Sequence, residues 1–242
     1  MADSSIVLEK KLQDHDNTYH TNPISLREEL ATRIMSSLLF APLIAFVCFA
    51  SFKAFCVLCI LVCSMIAYEI LSKTRKNFLL KFFALSVCIL GISLFAYCRK
   101  IFGVSSSIFL ICITSFTDIG AYCIGKTLKG PKLCPKISPQ KTWAGFLGGI
   151  VIANIGCYFL KTTLLRFSGD EVLLLSTIID NVIIVQLIIL SAIVGDLLES
   201  LFKRRIGVKD MGNLFPGHGG MLDRLDSLIF ASIALALVSI YF

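Results

Sequence analysis

The chain has 242 residues, of which 56% are hydrophobic, and it carries a formal net charge of +7. This apolar share excludes a soluble globular domain and indicates an all-α, polytopic integral membrane protein. Because the basic residues lie in short loops between apolar runs, the positive charge is typical of membrane topology and of binding to anionic headgroups or phosphates. Nucleic acid is therefore not an expected partner.

The N-terminal segment 1–33 is polar and of mixed charge, without the apolar core of a cleavable signal peptide. We interpret it as a cytoplasmic tail. Residues 34–242 are then one transmembrane domain, with N-terminal helices at 34–100 and the candidate site within 101–242.

A spanning helix needs ~20 apolar residues. About seven segments meet this requirement, near 34–50, 54–72, 78–97, 101–124, 143–160, 181–202 and 225–242. The run 172–179 is too short to span alone, so we expect either an interfacial helix or an extension of the sixth span. With the N-terminus inside, 18 of the 23 basic residues lie on the inner side. The positive-inside rule then places the charged loops 125–142 and 203–224 in the cytoplasm.

One motif, Gly120–Thr127, matches the pattern G-x-x-x-x-G-K-T of a phosphate-binding loop. Such a loop must follow a β-strand and open a helix. Here the motif ends a predicted span and is followed by a proline-rich segment, so we predict that it is not a nucleotide P-loop.

The same segment still favours phosphate binding. Ser115, Asp118 and Tyr122 form a polar stripe on an apolar helix. Asp118 either pairs with a lysine or supports a metal ligand. Lysines then recur every three to five residues across the loop, at Lys126, Lys129, Lys132, Lys136 and Lys141. Ordinary positivity of an inner loop accounts for part of this pattern.

The ten cysteines lie mostly inside predicted spans, where cysteine acts as a small apolar residue. We therefore predict neither a thiolate metal site nor disulfides. Cys134, in a predicted cytoplasmic loop, is expected to be a free thiol.

The densest charge cluster lies at 195–226, between two apolar runs. On a helix, Asp196, Ser200 and Lys203 share one face, with Glu199 at its edge. An acid at the edge of the hydrocarbon costs roughly 2.5–3.5 kcal/mol on insertion scales, so a metal or cationic partner is expected there.

After a break rich in glycine, Asp223 and Asp226 open the last span. A sharp turn can bring Asp223 towards Asp196, and two carboxylates from facing helices suit Mg²⁺ together with substrate phosphates. Four nearby cations could neutralise a triphosphate: Lys203, Arg204, Lys209 and Arg224. The structural alternative is a salt-bridged interfacial loop. His218 is either a phosphate donor or a turn residue.

The segment 200–226, SLFKRRIGVKDMGNLFPGHGGMLDRLD, resembles the signature of the phosphatidate cytidylyltransferase family, also called CDP-diacylglycerol synthases. The motif DIGAY at 118–122, the lysine loop and ISPQKTW at 137–143 resemble that family's second motif. Ile119 and Ala144 depart from the family pattern, at positions where Ser or Thr and Glu or Gln are usual.

The resemblance implies transfer of the cytidylyl group of CTP to phosphatidate, with Mg²⁺ and a second cation such as K⁺, in a bacterial inner membrane and on its cytoplasmic face. By resemblance Asp196 and Asp223 bind metal, and Ser200, Lys203 and Asp226 are also catalytic. The substrate-binding set is Asp118, Lys126, Lys141, Arg204, Lys209, His218 and Arg224. The expected partners are CTP, phosphatidate and membrane lipids, with a homodimer left open.

Three rival functions stay open at this stage. A transporter of an anionic solute would also place acids and bases on facing helices, but it predicts paired half-repeats, and the sequence shows no internal duplication. A structural membrane protein would tolerate loss of Asp196. A CTP-dependent lipid kinase, or a cytidylyltransferase for another lipid phosphate, would differ only in its reaction.

Overall fold

The computed structural model describes residues 46, 50–74, 78–135, 137–164, 170–212 and 219–240. In these ranges the elements are α1 (Phe52–Lys73), α2 (Phe78–Leu128), β1 (Lys132–Cys134), β2 (Ser138–Thr142), α3 (Trp143–Leu164), α4 (Asp170–Asp180), α5 (Val182–Arg205) and α6 (Leu222–Ser239). The predicted tail 1–33 and nearly all of the first predicted span lie outside the described residues.

The described part of the chain is mostly helical and apolar. Four of its helices, α1, α2, α3 and α5, are long and apolar enough to cross a membrane. The 18 residues of α6 would extend about 27 Å, but the helix opens with three charged residues. The structure thus confirms an α-helical membrane protein, while the count of seven spans stays a prediction.

Helix α2 joins two segments that we predicted as separate spans. It runs for 51 residues and is broken only at Gly103, whose φ of 66° and ψ of −161° are not helical. Glycine adopts this positive φ without steric cost. The break therefore lies a few residues after the predicted loop, and each half of α2 is still long enough to span.

Helices α2 and α3 touch almost backbone to backbone. A Cβ atom on Gly120 would lie 2.8 Å from the carbonyl oxygen of Gly148, and one on Gly148 would lie 2.5 Å from the side chain of Ile124. Small residues at a helix crossing permit this approach and are typical of membrane proteins. The contact fixes the C-terminal half of α2 beside the start of α3, where the chain between them forms a hairpin.

That hairpin lies in the predicted loop 125–142 and adds two short strands to an otherwise helical fold. Strands β1 and β2 are antiparallel, with Lys132 opposite Thr142 and Cys134 opposite Ser138. Lys129 and Gly130 have positive φ angles, which end α2 and turn the chain back. The prolines of this segment prevent a continued helix, but a short strand at a sheet edge tolerates them.

The short helix α4 decides between the two alternatives for residues 172–179, an interfacial helix and an extension of the sixth span. This helix has 11 residues, which are too few to span a membrane. It ends at Asp180, whose carboxylate pairs with Lys161 of α3. Asn181 then accepts the N–H groups of Ile183 and Ile184 and caps α5. The segment is therefore a separate helix and not an extension of α5.

Helix α2 is the centre of the described fold, because it contacts α1, α3, α4, α5 and α6. The starts of α3 and α6 and the ends of α2 and α5 consequently meet at one end of the bundle. The candidate site lies there.

Candidate active site

The two charged loops of the sequence meet in the structure. The Nε of Arg204, at the end of α5, donates to the carbonyl oxygen of Ile137 in the hairpin at 3.3 Å. Between them opens a cavity of about 980 Å³, which we call the polar cavity. Its charged lining residues are Asp118, Lys126, Lys129, Lys132, Lys141, Asp196, Arg224 and Asp226.

A group of three acids lies at one wall of the polar cavity, which Asp196 and Asp226 line. Carboxylate oxygens of Asp196 and Glu199 on α5 and of Asp226 on α6 lie within 4.8 Å of one another. We call these three residues the acidic cluster. The sequence placed Asp196 and Asp226 in the site, but it assigned Glu199 only to the edge of the helix face.

Glu199 is the least satisfied member of this cluster. It is 6% exposed, and neither carboxylate oxygen has a hydrogen bond of good geometry, although Lys203 Nζ lies 2.6 Å from Oε2 as an ion pair. A buried carboxylate without its full set of partners is costly. Three oxygen ligands this close suit a hard divalent cation, so these residues could hold such a cation.

Asp223 lies next to the acidic cluster and has two backbone donors as well as an ammonium. Its Oδ1 accepts a hydrogen bond from Lys203 Nζ at 2.9 Å. Its Oδ2 accepts the backbone N–H groups of Met211 at 2.9 Å and Gly220 at 2.7 Å. Lys203 thus links Asp223 to Glu199, and Asp223 adjoins the acidic cluster. The predicted pairing of Asp223 with Asp196 on one metal stays a prediction.

The basic wall of the polar cavity is built by α2 and the hairpin. Lys141 Nζ lies 2.7 Å from Asp196 Oδ2, an ion pair that lacks hydrogen-bond geometry and that connects the hairpin to α5. Lys126 is exposed, and its Nζ donates to the hydroxyl of Tyr122 at 3.0 Å. Asp118, which belongs to α2, also lines the polar cavity.

Three other predicted site residues lie near the end of α5 or just after it. Ser200 is half-buried, and Arg204 and Lys209 are exposed. Among the described residues these three are outside the lining of the polar cavity. His218 falls outside the residues that the structure describes.

The segment that matches the P-loop pattern is helical in the structure. Residues 120–127 continue α2, and the carbonyl of Gly125 accepts the N–H of Lys129. Amides inside a helix bond to carbonyl oxygens one turn earlier, so those of this segment do not form a phosphate-binding loop.

A second cavity, of about 260 Å³, lies between α1, α2 and α6. We call it the apolar cavity, because its lining is almost entirely hydrophobic, for example Phe55, Ile92 and Leu228. Arg224 also lines it and is, among the described residues, the one that both cavities have in common. No local pattern in the sequence predicts this cavity, because its walls come from three distant segments.

Fold and site together define a helical membrane protein with an acidic cluster, a basic wall and an adjoining apolar cavity. Residues 31–242 match the model of the cytidylyltransferase family, and the chain belongs to this family.

The chain is also similar to curated proteins named phosphatidate cytidylyltransferase. The chain is 40% identical over 141 residues to the phosphatidate cytidylyltransferase of Brucella suis biovar 1 (strain 1330), covering 58% of this chain and 49% of that protein. It is 38% identical over 173 residues to the protein of the same name from Staphylococcus haemolyticus (strain JCSC1435), covering 69% and 62%. The chain spans about half to three fifths of the length of these relatives.

Proposed function

We propose that this protein transfers the cytidylyl group of CTP to phosphatidate, which gives CDP-diacylglycerol and pyrophosphate. Membership of the cytidylyltransferase family and the names of its relatives support this reaction. The observation that carries the proposal is that a polar, basic cavity and an apolar cavity share Arg224.

The polar cavity suits the nucleotide. Its volume of about 980 Å³ is at the upper end of the roughly 300–1,000 Å³ of ordinary ligand sites. Four lysines and Arg224 line it, so a triphosphate would meet positive charge from the hairpin, α2 and α6. Charge of this sign attracts the polyanion and holds it in place.

The apolar cavity suits part of the lipid. An acyl chain between α1, α2 and α6 would bring the phosphate of the same lipid to the guanidinium of Arg224. Arginine matches a phosphate group geometrically, because its N–H donors form a planar fork. The two substrates would then meet at one residue.

The acids of α5 and α6 suit Mg²⁺. We propose that Asp196 holds it with Asp223 and Asp226, and that Glu199 adds negative charge behind them; a second cation such as K⁺ would bind nearby. Mg²⁺, when bound, would supply positive charge to the phosphate oxygens of CTP. The support is the convergence of Asp196, Glu199 and Asp226 and the incomplete partners of Glu199. Asp223 adjoins them through Lys203.

No side-chain base is required for the reaction. A phosphate monoester has a second pKa of ~6, so the phosphate of phosphatidate is already a nucleophile at neutral pH. One of its oxygens bonds to the α-phosphorus of CTP as the bond to the β-phosphate oxygen breaks, and pyrophosphate leaves. Lys141, Lys126 and Arg224 would hold the reactants in line and balance their charge. The transfer would then be direct, without a covalent enzyme intermediate.

We place the site at the cytoplasmic face of a bacterial inner membrane. The relatives are bacterial, and most of the basic residues fall on the side of the two charged loops. CTP is a cytoplasmic solute, so a site on this face would reach both substrates.

The direct test is release of pyrophosphate by the purified protein in detergent with CTP and Mg²⁺. We expect release only when phosphatidate is added. Equal release without lipid, or with diacylglycerol in its place, would contradict the proposal.

A further inference from the structure

Glu69 of α1 connects two distant parts of the chain. Its side chain is almost completely buried, with the residue 5% exposed. Oε1 accepts the backbone N–H of Met221 at 2.7 Å, and Oε2 accepts that of Leu222 at 3.0 Å. These donors lie about 150 residues further along the chain.

The two amides are those at the start of α6. The first N–H groups of a helix have no partner within the helix, and Met221, the N-cap residue, makes no capping hydrogen bond with its own side chain. Glu69 supplies both acceptors from another helix, and its negative charge also faces the positive end of the α6 dipole. Met221 and Leu222 are buried, so loss of the acceptors would leave buried donors unpaired.

The backbone around the carboxylate leaves no free space. A Cβ atom on Gly212 would lie 2.7 Å from Glu69 Oε1, and one on Gly220 would lie 2.6 Å from the same oxygen. Only glycine permits this approach. The amide of Gly220 donates in turn to Asp223, so Glu69 and Asp223 bind adjacent amides of one turn.

We propose that Glu69 is a positioning residue for the active site. It fixes the start of α6, and the next residues of that helix include Asp223, Arg224 and Asp226. Among the described residues, Glu69 is outside the lining of both cavities, so it acts through α6 and not on the substrates. This inference rests on the proposed function, because the reaction provides one of its readouts.

The test compares Glu69→Gln with the wild type. The amide keeps the shape of the side chain, but it replaces one acceptor oxygen with an NH₂ group that faces backbone donors. We expect the Mg²⁺ concentration for half-maximal activity to rise, or kcat to fall, by ~10–100-fold, the range for groups that orient metal ligands. The KM for CTP should change little, because the lysines of the polar cavity are untouched.

The second readout is hydrogen exchange of the backbone amides at 220–224, measured in the substrate-free protein. We expect faster exchange in Glu69→Gln, and no change in exchange or activity in the control Asp180→Asn. The control makes the same chemical change at the ion pair with Lys161. Gly212→Ala gives a second route, since its methyl group would displace the carboxylate of an intact Glu69 and should reproduce both effects.

The outcomes separate the two proposals. A wild-type protein that forms no product would overturn the proposed function, while faster exchange in both variants would still support Glu69 as the anchor of α6. With an active wild type, normal kinetics in folded Glu69→Gln would overturn the positioning role, even if exchange were faster. If Glu69→Gln does not fold, normal kinetics and exchange in Gly212→Ala would overturn it as well.

Discussion

The two walls of the polar cavity are held in place in different ways. The acids of α5 and α6 are held by specific contacts. Asp196 pairs with Lys141, Asp226 accepts the backbone N–H of Ser227, and the adjoining Asp223 accepts an ammonium and two backbone amides. On the basic wall, Lys126, Lys129 and Lys132 are exposed to solvent. The acidic wall is therefore arranged before a substrate arrives, whereas these lysines contribute charge from solvent-exposed positions. We expect single changes to be severe on the first wall and mild on the second.

The largest effect is expected for Asp196→Asn. The change keeps the size of the side chain but removes a charged oxygen ligand from the acidic cluster. Turnover should fall by ~10³, as when one preorganised electrostatic group is lost from a site. Steady-state kinetics across a Mg²⁺ titration checks this. Near-normal turnover in a folded variant would show that Asp196 binds no essential cation.

The next largest effect is expected for Lys203→Met, which should lower the free energy of unfolding. Lys203 Nζ lies close to both Glu199 and Asp223, and its side chain is 15% exposed. Its loss leaves two carboxylates without their ammonium, and breaking a buried pair costs about 3–5 kcal/mol. Thermal unfolding without ligands measures the effect. Lys161→Met, which removes the more exposed pair with Asp180, should cost no more than about 1 kcal/mol.

A single lysine of the basic wall should matter less. Lys129→Ala removes one of several positive charges that line the polar cavity. The KM for CTP should therefore rise only about two- to fivefold. Because exposed charges are screened, the difference from wild type should shrink as ionic strength increases. A loss of 10²-fold or more at any salt concentration would show that this wall is as tightly arranged as the acidic one.

The smallest effect is expected for Cys134→Ser. Cys134 is a free thiol in β1, between the lysines of the hairpin. Since phosphatidate carries its own nucleophile, activity should stay within about twofold of wild type in the same assay. Loss of turnover in a folded variant would indicate thiol chemistry instead of direct transfer.

The features that could be predicted from the sequence are the local ones. Helix periodicity places Asp196 and Lys203 on one face, and hydropathy locates α1, α3 and α5 to within a few residues. The turn after α5 indicated that α6 returns beside it. These are local patterns, and the structure confirms them.

Long-range features could not be predicted in the same way. The hairpin has short strands without alternating apolar residues, so no strand pattern marks it. Periodicity shows which face Glu199 occupies, but not which carboxylates meet it across the helix interface. The contact of Glu69 with Met221 depends on how α1 packs beside α6, and no local signal records that.

The central claim is that the α-phosphorus of CTP goes to the lipid. Two parallel reactions test it, with label in the α-phosphate of CTP in one and in the γ-phosphate in the other, each with phosphatidate, Mg²⁺ and purified protein. We expect the α-label to enter the organic phase as CDP-diacylglycerol and the γ-label to stay in water as pyrophosphate. Transfer of the γ-label to lipid, or no lipid-soluble label from either nucleotide, would contradict the account.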